Sequence, residues 1–395
     1  MVVGDICRLK LESIAAGADA FGRFEGKPFF VEGGAPDETV VCRITENKDT
    51  WVRAELLEIL EPSSVRVESK CAFYGMCGGC NLQHIDYNAQ LKIKASILEE
   101  SFLRIGGIKI PQPDITPNLN DENWSGWEYR NRMQFHCLRQ RAKGETCGFG
   151  FKGRANKDII AVSDCPVAVP PIRELLCRRG KGLLLPPEKD RFTVFAKDDV
   201  FLNEGGQQTG RIKLLGKEIL LDAGLFFQSN CYMLEKLILE LQKIAGAADR
   251  NLPMADLYCG VGTFAVFLAG MFPKIVLAEE NKKAINLARE NLKGINAGYF
   301  ALRDTDWLKN QGLGISEKAF GFIIADPPRS GLSSGLASSL AENGPPLFAY
   351  VSCDAASLAR DAKILTGGCY KLKELKLFDF YPQTAHIESL AVFER

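Results

Sequence analysis

Residues 254–264 read Met-Ala-Asp-Leu-Tyr-Cys-Gly-Val-Gly-Thr-Phe, a short apolar run that ends in a loop with two glycines. The run predicts a β-strand, and Ala-Val-Phe-Leu-Ala-Gly-Met-Phe at 265–272 predicts a helix after the loop. Glycine allows tight backbone turns, so Gly260 and Gly262 let a ligand approach the N-terminal end of that helix. The stretch therefore predicts one strand–loop–helix unit of a ligand-binding α/β sheet.

Similar units continue on the C-terminal side. Apolar runs at 274–280, 321–328 and 347–353 are each followed by a stretch long enough for a helix. This alternation predicts a parallel, doubly wound, Rossmann-like sheet over residues 206–395. The runs at 373–383 and 387–395 lie only a few residues apart, which predicts a closing antiparallel pair.

Two cofactors fit the glycine loop. With Ala265 in its last small position and Glu279 where a ribose carboxylate belongs, the loop matches a dinucleotide fingerprint. However, Asp326-Pro-Pro-Arg329 places a carboxylate and a stiff loop after another strand, at the edge where such sheets bind ligands. This second feature favours a class I methyltransferase that binds S-adenosylmethionine over NAD. Glu279 then contacts the ribose hydroxyls, unless it is only a solvated strand end.

Cys353 ends the strand predicted at 347–353 and precedes a probable helix, whose dipole favours a thiolate. Taken alone, such a cysteine is more often buried and inert. A thiolate that adds to C6 of uracil makes C5 nucleophilic enough to accept a methyl group, after which a base removes the C5 proton. Glu388, at the start of the final strand, is the predicted base, and His386 is a second candidate.

A group of cysteines lies far from this sheet in sequence. Cys71, Cys77 and Cys80 fall in a glycine-rich loop, and Cys165 can supply a fourth thiolate. Zinc and an iron–sulfur cluster both bind such a set, and the three-plus-one grouping favours a four-iron four-sulfur cluster. His84 is an alternative ligand, interpreted as structural because four cysteines are present.

The N-terminal segment and the charge pattern suggest that the protein binds nucleic acid. Residues 1–62 alternate short apolar runs with glycine-rich turns, which predicts a small antiparallel barrel. Basic and acidic residues balance at 49 each, so RNA binding depends on local patches. Between Arg130 and Asp158 eight basic residues interleave with aromatics, although a solvated hairpin face is the commoner explanation. These eight are Arg130, Arg132, Arg139, Arg141, Lys143, Lys152, Arg154 and Lys157.

Nothing in the sequence indicates a membrane protein. The first residues are charged and form no signal peptide, and no later apolar run is long enough to span a bilayer. Thirteen cysteines without an export signal argue against a disulfide framework. We expect a cytoplasmic protein.

Together these segments resemble the uracil-5-methyltransferase family that modifies ribosomal and transfer RNA. The resemblance rests on motifs along almost the whole chain: Gly26–Val31, Gly34–Glu38, Ser64–Val67, the four cysteines with Asn81-Leu-Gln-His84, Tyr129-Arg-Asn-Arg132, Phe227-Gln-Ser-Asn230, and the segments around Cys353 and Glu388. It implies an OB-like, RNA-binding TRAM barrel at 1–62, a central α+β domain at 63–205 and a methyltransferase domain at 206–395. It also implies that a helix near residues 88–105 packs on the methyltransferase domain.

The resemblance also assigns roles to individual residues. Cys353 and Glu388 match the nucleophile and the general base, and the four cysteines match ligands of a four-iron four-sulfur cluster. Its cofactor contacts fall on Gln228, Tyr258, Thr263, Glu279, Asp304 and Asp326, beside Gly260 and Gly262 from the loop itself. Gln383 or Arg329 is a candidate for holding the uracil.

We therefore expect a monomer that methylates C5 of a uridine through a covalent cysteine adduct. Large-subunit ribosomal RNA is the preferred substrate, and the transfer RNA T-loop is the alternative. A rival of another class is a non-catalytic iron–sulfur RNA-binding protein, which the presence of Asp326, Cys353 and Glu388 disfavours.

Overall fold

The computed structural model describes residues 1–118, 126–139, 146–154, 158–183, 185–186, 189–309 and 320–395. Within these residues, no helix has the length and apolar character needed to cross a membrane.

The N-terminal strands close into a barrel in the order β1-β2-β3-β5-β4. The strands are β1 (Ile6–Ile14), β2 (Ala20–Phe24), β3 (Lys27–Glu32), β4 (Thr39–Asn47) and β5 (Val52–Glu61). Side chains alternate along β1 between exposed and buried, so one face of each strand fills the barrel. The expected barrel is confirmed, but the expectation that all of its strands pair antiparallel is wrong. The β3–β5 pair is parallel because β4 returns the chain between them.

A second sheet has the order β11-β10-β7-β8-β9 among the described residues. Its elements are β7 (Arg132–Arg139), β8 (Thr146–Lys152), β9 (Ile159–Ile160), α2 (Pro170–Cys177), β10 (Arg191–Lys197) and β11 (Val200–Asn203). Phe135 and Phe192 are fully buried and pack with Ile172 of α2, so the helix covers one face of the sheet. The antiparallel ribbon β12 (Thr209–Leu214) and β13 (Lys217–Asp222) follows and leads to the methyltransferase-like part.

The largest sheet has the order β16-β15-β14-β17-β18-β20-β19-β6. Its later elements are α3 (Cys231–Gly246), β14 (Met254–Leu257), α4 (Thr263–Leu268), β15 (Ile275–Ala278), α5 (Lys282–Asn291), β16 (Ala297–Phe300), α6 (Asp304–Lys309), β17 (Phe322–Ala325), α7 (Ser334–Asn343), β18 (Leu347–Ser352), α8 (Ala355–Gly367), β19 (Lys371–Phe378) and β20 (Glu388–Glu394). Strands β14 to β18 are parallel, and all of them except the half-buried edge strand β16 are buried on both faces. The predicted Rossmann-like sheet and its closing antiparallel pair are confirmed.

Two elements from the middle of the chain join this sheet. Helix α1 (Tyr87–Ser101) continues into a short π-helical turn, Phe102–Gly106, and β6 (Asp114–Thr116) pairs in parallel with β19. Leu98 and Phe102 are buried in the same core as Leu358 of α8. This confirms that the early helix packs on the methyltransferase sheet. The division at residues 62 and 205 stays a prediction.

Helix α1 is also held by a buried ion pair. Its Lys94 ammonium lies 2.6 Å from a carboxylate oxygen of Asp379, and both side chains are fully buried. The other oxygen of Asp379 accepts a hydrogen bond from Tyr87, at 2.7 Å. Residues nearly 300 positions apart therefore join beside the end of β19.

Candidate active site

A cavity of about 810 Å³ opens at the carboxyl edge of the parallel strands. Open α/β sheets bind ligands at this edge because the loops after neighbouring strands converge there. Eight of the site residues expected from the sequence line it: Gln228, Tyr258, Gly260, Glu279, Asp304, Asp326, Cys353 and Glu388. Gly262 and Thr263 lie outside the lining, and their cofactor contacts stay predictions.

Gly262 has a packing role. It precedes α4 with a φ of +78°, and a Cβ on it would lie 3.1 Å from the Cβ of Ala288 in α5. A Cβ on Gly260 would meet no atom within 4 Å, and Gly260 does line the cavity. The first glycine therefore leaves space at the cavity, whereas the second allows the loop to pack on a helix.

Glu279 is oriented by the backbone. One of its carboxylate oxygens accepts a hydrogen bond from the Gly260 N–H at 3.1 Å, and the other accepts from Asn281 at 2.8 Å. A freely solvated strand-end carboxylate would have no such fixed orientation. The arrangement presents a fixed acceptor beside the glycine loop, as the ribose hydroxyls of a nucleoside require.

Asp304 binds two other loops. One of its oxygens accepts from the Tyr258 hydroxyl at 2.8 Å and from the Ser333 N–H at 3.1 Å. Burial acts to raise the pKa of Asp304, but these hydrogen bonds outweigh it and lower the pKa below the ordinary value. Tyr258 has a φ of +60°, unusual for a residue with a side chain. The carboxylate thus holds a strained residue at the cavity.

Cys353 follows β18 and precedes α8, with its side chain partly exposed to the cavity. The surroundings of Cys353 act against the thiolate that the following helix was expected to favour. Burial, followed by the charges of Glu388 and Asp326, raises the pKa of Cys353 to about 12, while Arg329 and a backbone hydrogen bond act in the opposite direction. Asp354 already caps α8 by accepting from the Ser357 N–H at 2.8 Å.

Glu388 is the first residue of β20 and is only 2% exposed. Its Oε1 atom takes no hydrogen bond from the residues that the structure describes. Burial and then the charge of Asp326 raise the pKa of Glu388 well above its ordinary value. A buried carboxyl with a free oxygen at the cavity is suited to proton transfer.

His386 also lines the cavity, with its Nδ1 atom 3.5 Å from the Arg329 guanidinium. Burial and the charge of Arg329 lower the pKa of His386 to about 4, so the ring is neutral at neutral pH. His386 is exposed, whereas Glu388 is buried at the cavity with an unpaired oxygen, and this placement favours the carboxyl over the second candidate.

Gln228 and Asp326 form a pair between these groups. The Gln228 amide donates to Asp326 at 3.2 Å, while its own oxygen has no partner among the described residues. Burial raises the pKa of Asp326 to about 7, although the hydrogen bond from Gln228 opposes this. The pair thus presents an unpaired amide oxygen and a carboxyl that titrates near neutrality.

The two candidates for holding uracil differ in position. Arg329 is exposed and lines the cavity, whereas Gln383 is buried outside the lining. The side-chain amide of Gln383 accepts from Gln90 at 2.9 Å instead. Only Arg329 is therefore placed to contact a substrate.

The sequence analysis missed other residues at the cavity. Tyr381 and Phe226 line it, and the Phe226 ring is 64% exposed although both of its neighbours in sequence are buried. Each lies two residues from a residue singled out earlier, Gln383 and Gln228, which was the available signal. Arg130 was assigned to the basic patch but also reaches this cavity.

Much of the basic patch is structural. Arg132 donates to the Leu225 carbonyl at 3.0 Å, and Arg154 pairs with Glu32 of the barrel at 3.0 Å. The interleaved aromatics, Phe135, Phe149 and Phe151, pack on one another in the core of the second sheet. Arg141, Lys143 and Lys157 lie outside the described residues, and so does the side chain of Arg139. The described part of the patch joins elements more than it forms an open surface.

The four cysteines expected to hold a cluster are brought together. Cys77 forms an isolated antiparallel β-bridge with Gly153, and the backbone carbonyl of Cys80 accepts a hydrogen bond from the Arg154 side chain. Burial raises the pKa of Cys80 to about 11 and that of Cys165 to about 12, and neighbouring cysteines of the set add to both shifts.

A set of only thiols fits an iron–sulfur cluster. Among the described residues, no three His, Cys, Asp or Glu side chains converge as a single metal ion requires.

His84 has another function. Its Nε2 atom lies 2.9 Å from the Gly34 carbonyl, so it carries the proton, and Nδ1 accepts from the Tyr74 hydroxyl at 2.5 Å. Both ring nitrogens are therefore engaged, which agrees with the structural interpretation.

Known proteins match this arrangement over the whole chain. Residues 211–395 match the family tRNA (Uracil-5-)-methyltransferase, and residues 2–57 match the TRAM domain. An uncharacterized RNA methyltransferase of Aquifex aeolicus is 31% identical over 433 residues, which cover 98% of each protein. This chain belongs to the RNA uracil-5-methyltransferase family. The enzyme is an S-adenosylmethionine-dependent RNA (uracil-5-)-methyltransferase.

Two further relatives of this methyltransferase carry more specific names. A 23S rRNA (uracil(1939)-C(5))-methyltransferase of Pseudomonas entomophila is 28% identical over 443 residues, covering 99% of this chain and 94% of that protein. The solved structure of a Pyrococcus abyssi tRNA (uracil-54, C5)-methyltransferase, in complex with S-adenosyl-L-homocysteine, superimposes with a TM-score of 0.72. It is 22% identical and covers 98% of this chain and 100% of its own, so the fold extends over the full length.

Proposed function

We propose that this methyltransferase modifies C5 of a uridine in large-subunit ribosomal RNA, with Cys353 as the nucleophile and Glu388 as the general base. One observation carries the proposal: Cys353, Glu388 and Asp326 face the same cavity, where each carboxyl shifts the pKa of the thiol. A non-catalytic RNA-binding protein has no need to bury these acids together.

In the proposed reaction the Cys353 thiolate adds to C6 of the uracil, and the electron pair moves to O4 as an enolate. C5 of the enolate then takes the methyl group. Glu388 removes the C5 proton, the Sγ–C6 bond breaks, and the aromatic ring and the thiolate are restored. S-adenosylmethionine would supply the electrophilic methyl group, whose bond to the sulfonium sulfur breaks to leave the neutral thioether S-adenosylhomocysteine, and its positive charge would favour ionised forms of nearby acids.

The remaining groups position the reactants. The Gln228–Asp326 pair offers an amide and a carboxyl at the cavity, which suit the cofactor contacts expected of both residues. Glu279 and Tyr258 lie around Gly260, where a nucleoside cofactor fits. Burial of Glu388 keeps water from its oxygens and raises its proton affinity, which suits a group that removes a carbon-bound proton.

The first experiment uses RNA that contains 5-fluorouridine, in which fluorine at C5 cannot be removed as a proton. The wild-type enzyme should form a denaturation-resistant, methylated adduct, and Cys353→Ala should form none. Unaltered methylation of ordinary RNA by Cys353→Ala would show that the covalent mechanism is wrong.

A second variant tests the base. Glu388→Gln keeps the shape of the side chain but cannot accept the C5 proton, so it should accumulate a methylated adduct on ordinary RNA. Turnover at the wild-type rate would exclude Glu388 as the base.

Relatives at 28% identity that are named for 23S ribosomal RNA support the ribosomal substrate. The transfer RNA T-loop is the second candidate, since the structural neighbour is named for transfer RNA. Mapping 5-methyluridine in both RNAs from a deletion strain separates them. Loss confined to transfer RNA would overturn the ribosomal proposal.

The proposal also includes a four-iron four-sulfur cluster on Cys71, Cys77, Cys80 and Cys165. Such a cluster would order this part of the chain, and the methyl transfer requires no redox step. Protein purified without oxygen should contain about four iron atoms per chain, and Cys80→Ser should lose them. Zinc in place of iron would contradict this assignment.

A further inference from the structure

Residues 379–387, here called the base loop, connect β19 to β20 and end directly before Glu388. Tyr381 and His386 of this loop line the cavity, with their rings 5.8 Å apart and nearly perpendicular. The conformation of the loop therefore decides what surrounds the proposed base.

The loop is bonded to the segment that follows the last cysteine of the glycine-rich set. The N–H groups of Asn81 and Leu82 both donate to the Gln383 carbonyl, at 3.1 and 3.0 Å. In return, the Ala385 N–H donates to the side-chain oxygen of Asn81 at 2.9 Å. Asn81 is covalently joined to Cys80, so whatever holds Cys80 also holds these bonds.

Gln90 of α1 strengthens the same junction. Its amide group donates to the Gln383 side chain at 2.9 Å and to the carbonyls of Leu82 and Ile85. Its oxygen accepts from the Gln383 N–H at 2.9 Å. Gln383 has a φ of +67°, a conformation that is unfavourable for a residue with a side chain. The hydrogen bonds to Gln90 keep Gln383 in this conformation.

Two more residues hold the start of the loop. Lys94 of α1 donates to the Tyr381 carbonyl at 2.9 Å, and the Tyr129 hydroxyl donates to the Pro382 carbonyl at 3.0 Å. The described bonds to the loop thus come largely from residues 81–94 and 129, outside the methyltransferase sheet.

We propose that the cysteine segment and α1 position the base loop for catalysis, with Asn81 and Tyr129 as positioning residues that act through Tyr381, His386 and Glu388. The inference rests on the proposed role of Glu388. If the loop moves, water enters around the base and its oxygens shift from the C5 proton. The rate at which that proton is removed should therefore fall more than the affinity for either substrate.

The first pair of variants changes one bond. Asn81→Ala removes the acceptor for the Ala385 N–H, whereas Asn81→Asp keeps an oxygen there. We expect Asn81→Ala to lower kcat about tenfold, the effect of one lost hydrogen bond in the transition state, with a KM for RNA within about twofold. It should also accumulate methylated adduct, and Asn81→Asp should restore most of the rate.

The second pair of variants is matched in structure. Tyr129→Phe and Tyr370→Phe each remove a buried hydroxyl that donates to a proline carbonyl, of Pro382 and Pro345 respectively. The two changes should cost similar stability. Only Tyr129→Phe should lower kcat and accumulate adduct, because Tyr370 lies away from the base loop.

Two measurements accompany the kinetics, all on full-length protein purified without oxygen. Amide hydrogen exchange should quicken in peptides covering residues 379–388 for Asn81→Ala and Tyr129→Phe, and not for Tyr370→Phe. Iron content should stay at the wild-type level. The kinetic substrate is total RNA from a strain that lacks the gene.

The outcomes separate this inference from the proposed function. If wild-type protein methylates no RNA, the proposed function fails, and exchange alone still decides whether the loop is held as described. Unchanged exchange and unchanged kcat in both Asn81→Ala and Tyr129→Phe would overturn the inference. If Tyr370→Phe lost as much kcat as Tyr129→Phe, the loss would reflect general stability, and the inference would be overturned as well.

Discussion

The buried pair of Lys94 and Asp379 gives the sharpest stability prediction. Lys94→Met keeps most of the aliphatic stem, so it leaves little cavity, but it removes the ammonium group. Asp379 then remains fully buried, with the Tyr87 hydroxyl as its side-chain partner among the described residues. The Tyr381 carbonyl loses its donor at the same time.

The magnitude follows from burial. Breaking a buried ion pair by removing one partner costs about 3–5 kcal/mol, because an uncompensated charge stays in the protein interior. With both partners 0% exposed, this range applies to Lys94→Met. Asp379→Asn in the same chain removes the orphan charge and can keep the bond from Tyr87. The double variant should therefore cost less than the single one, by roughly 2 kcal/mol or more.

The assay is equilibrium urea unfolding, followed by circular dichroism and by fluorescence. Lys373→Met is the control, because its pair with Glu394 is 41% and 49% exposed and should contribute at most about 1 kcal/mol. A cost for Lys94→Met as small as that of the control would refute the reasoning. So would a double variant whose cost equals the sum of the two single changes.

Three further predictions concern the sheet edge and the cavity. Gly331→Ala should destabilise the protein by about 1–3 kcal/mol. Gly331 has a φ of +77°, and the new Cβ would lie 2.5 Å from a carboxylate oxygen. Gly26→Ala, at a similar φ but in open space, should cost less in the same urea assay. Burial raises the pKa of Asp256 from 3.8 to about 8, so folding takes up a proton in that range and wild-type stability falls as pH rises through it. The melting temperature of Asp256→Asn relative to wild type should therefore rise from about pH 4 to about pH 8, and a constant difference would contradict the assigned shift. Phe226→Ala should raise the KM for RNA about tenfold by removing a stacking surface. Leu239, which is 53% exposed on α3, is the control, and Leu239→Ala should leave the KM unchanged. Equal KM values for the two variants would show that Phe226 does not contact the RNA.

The prediction of the sheet from sequence succeeded for a local reason. The four central parallel strands, β14, β15, β17 and β18, are short runs buried on both faces, so their apolar character is visible without knowledge of their neighbours. Residues placed directly after such runs, Asp326 and Cys353 among them, reach the same edge in any parallel sheet. The main site residues could be found this way.

Other properties depend on the environment of a residue in the fold. The helix after Cys353 suggested an acidic thiol, but burial beside Glu388 and Asp326 raises the pKa of that thiol. Gly262 follows a ligand-binding pattern, and the structure also packs it against Ala288. The local pattern carries no information on how many apolar atoms or charges surround a group.

The sequence alone determined the order of strands and helices, the barrel that precedes them, and the roles proposed for the thiol and the carboxyl, because hydrophobic periodicity and motif spacing are properties of short segments. Only the tertiary structure decided which distant residues hold those groups in place. The bonds from Asn81 to Ala385 and from Lys94 to Asp379 each join residues almost 300 positions apart. Such pairings depend on how the folded elements pack, and it is this packing that sets the burial, and with it the proton affinity, of Cys353 and Glu388.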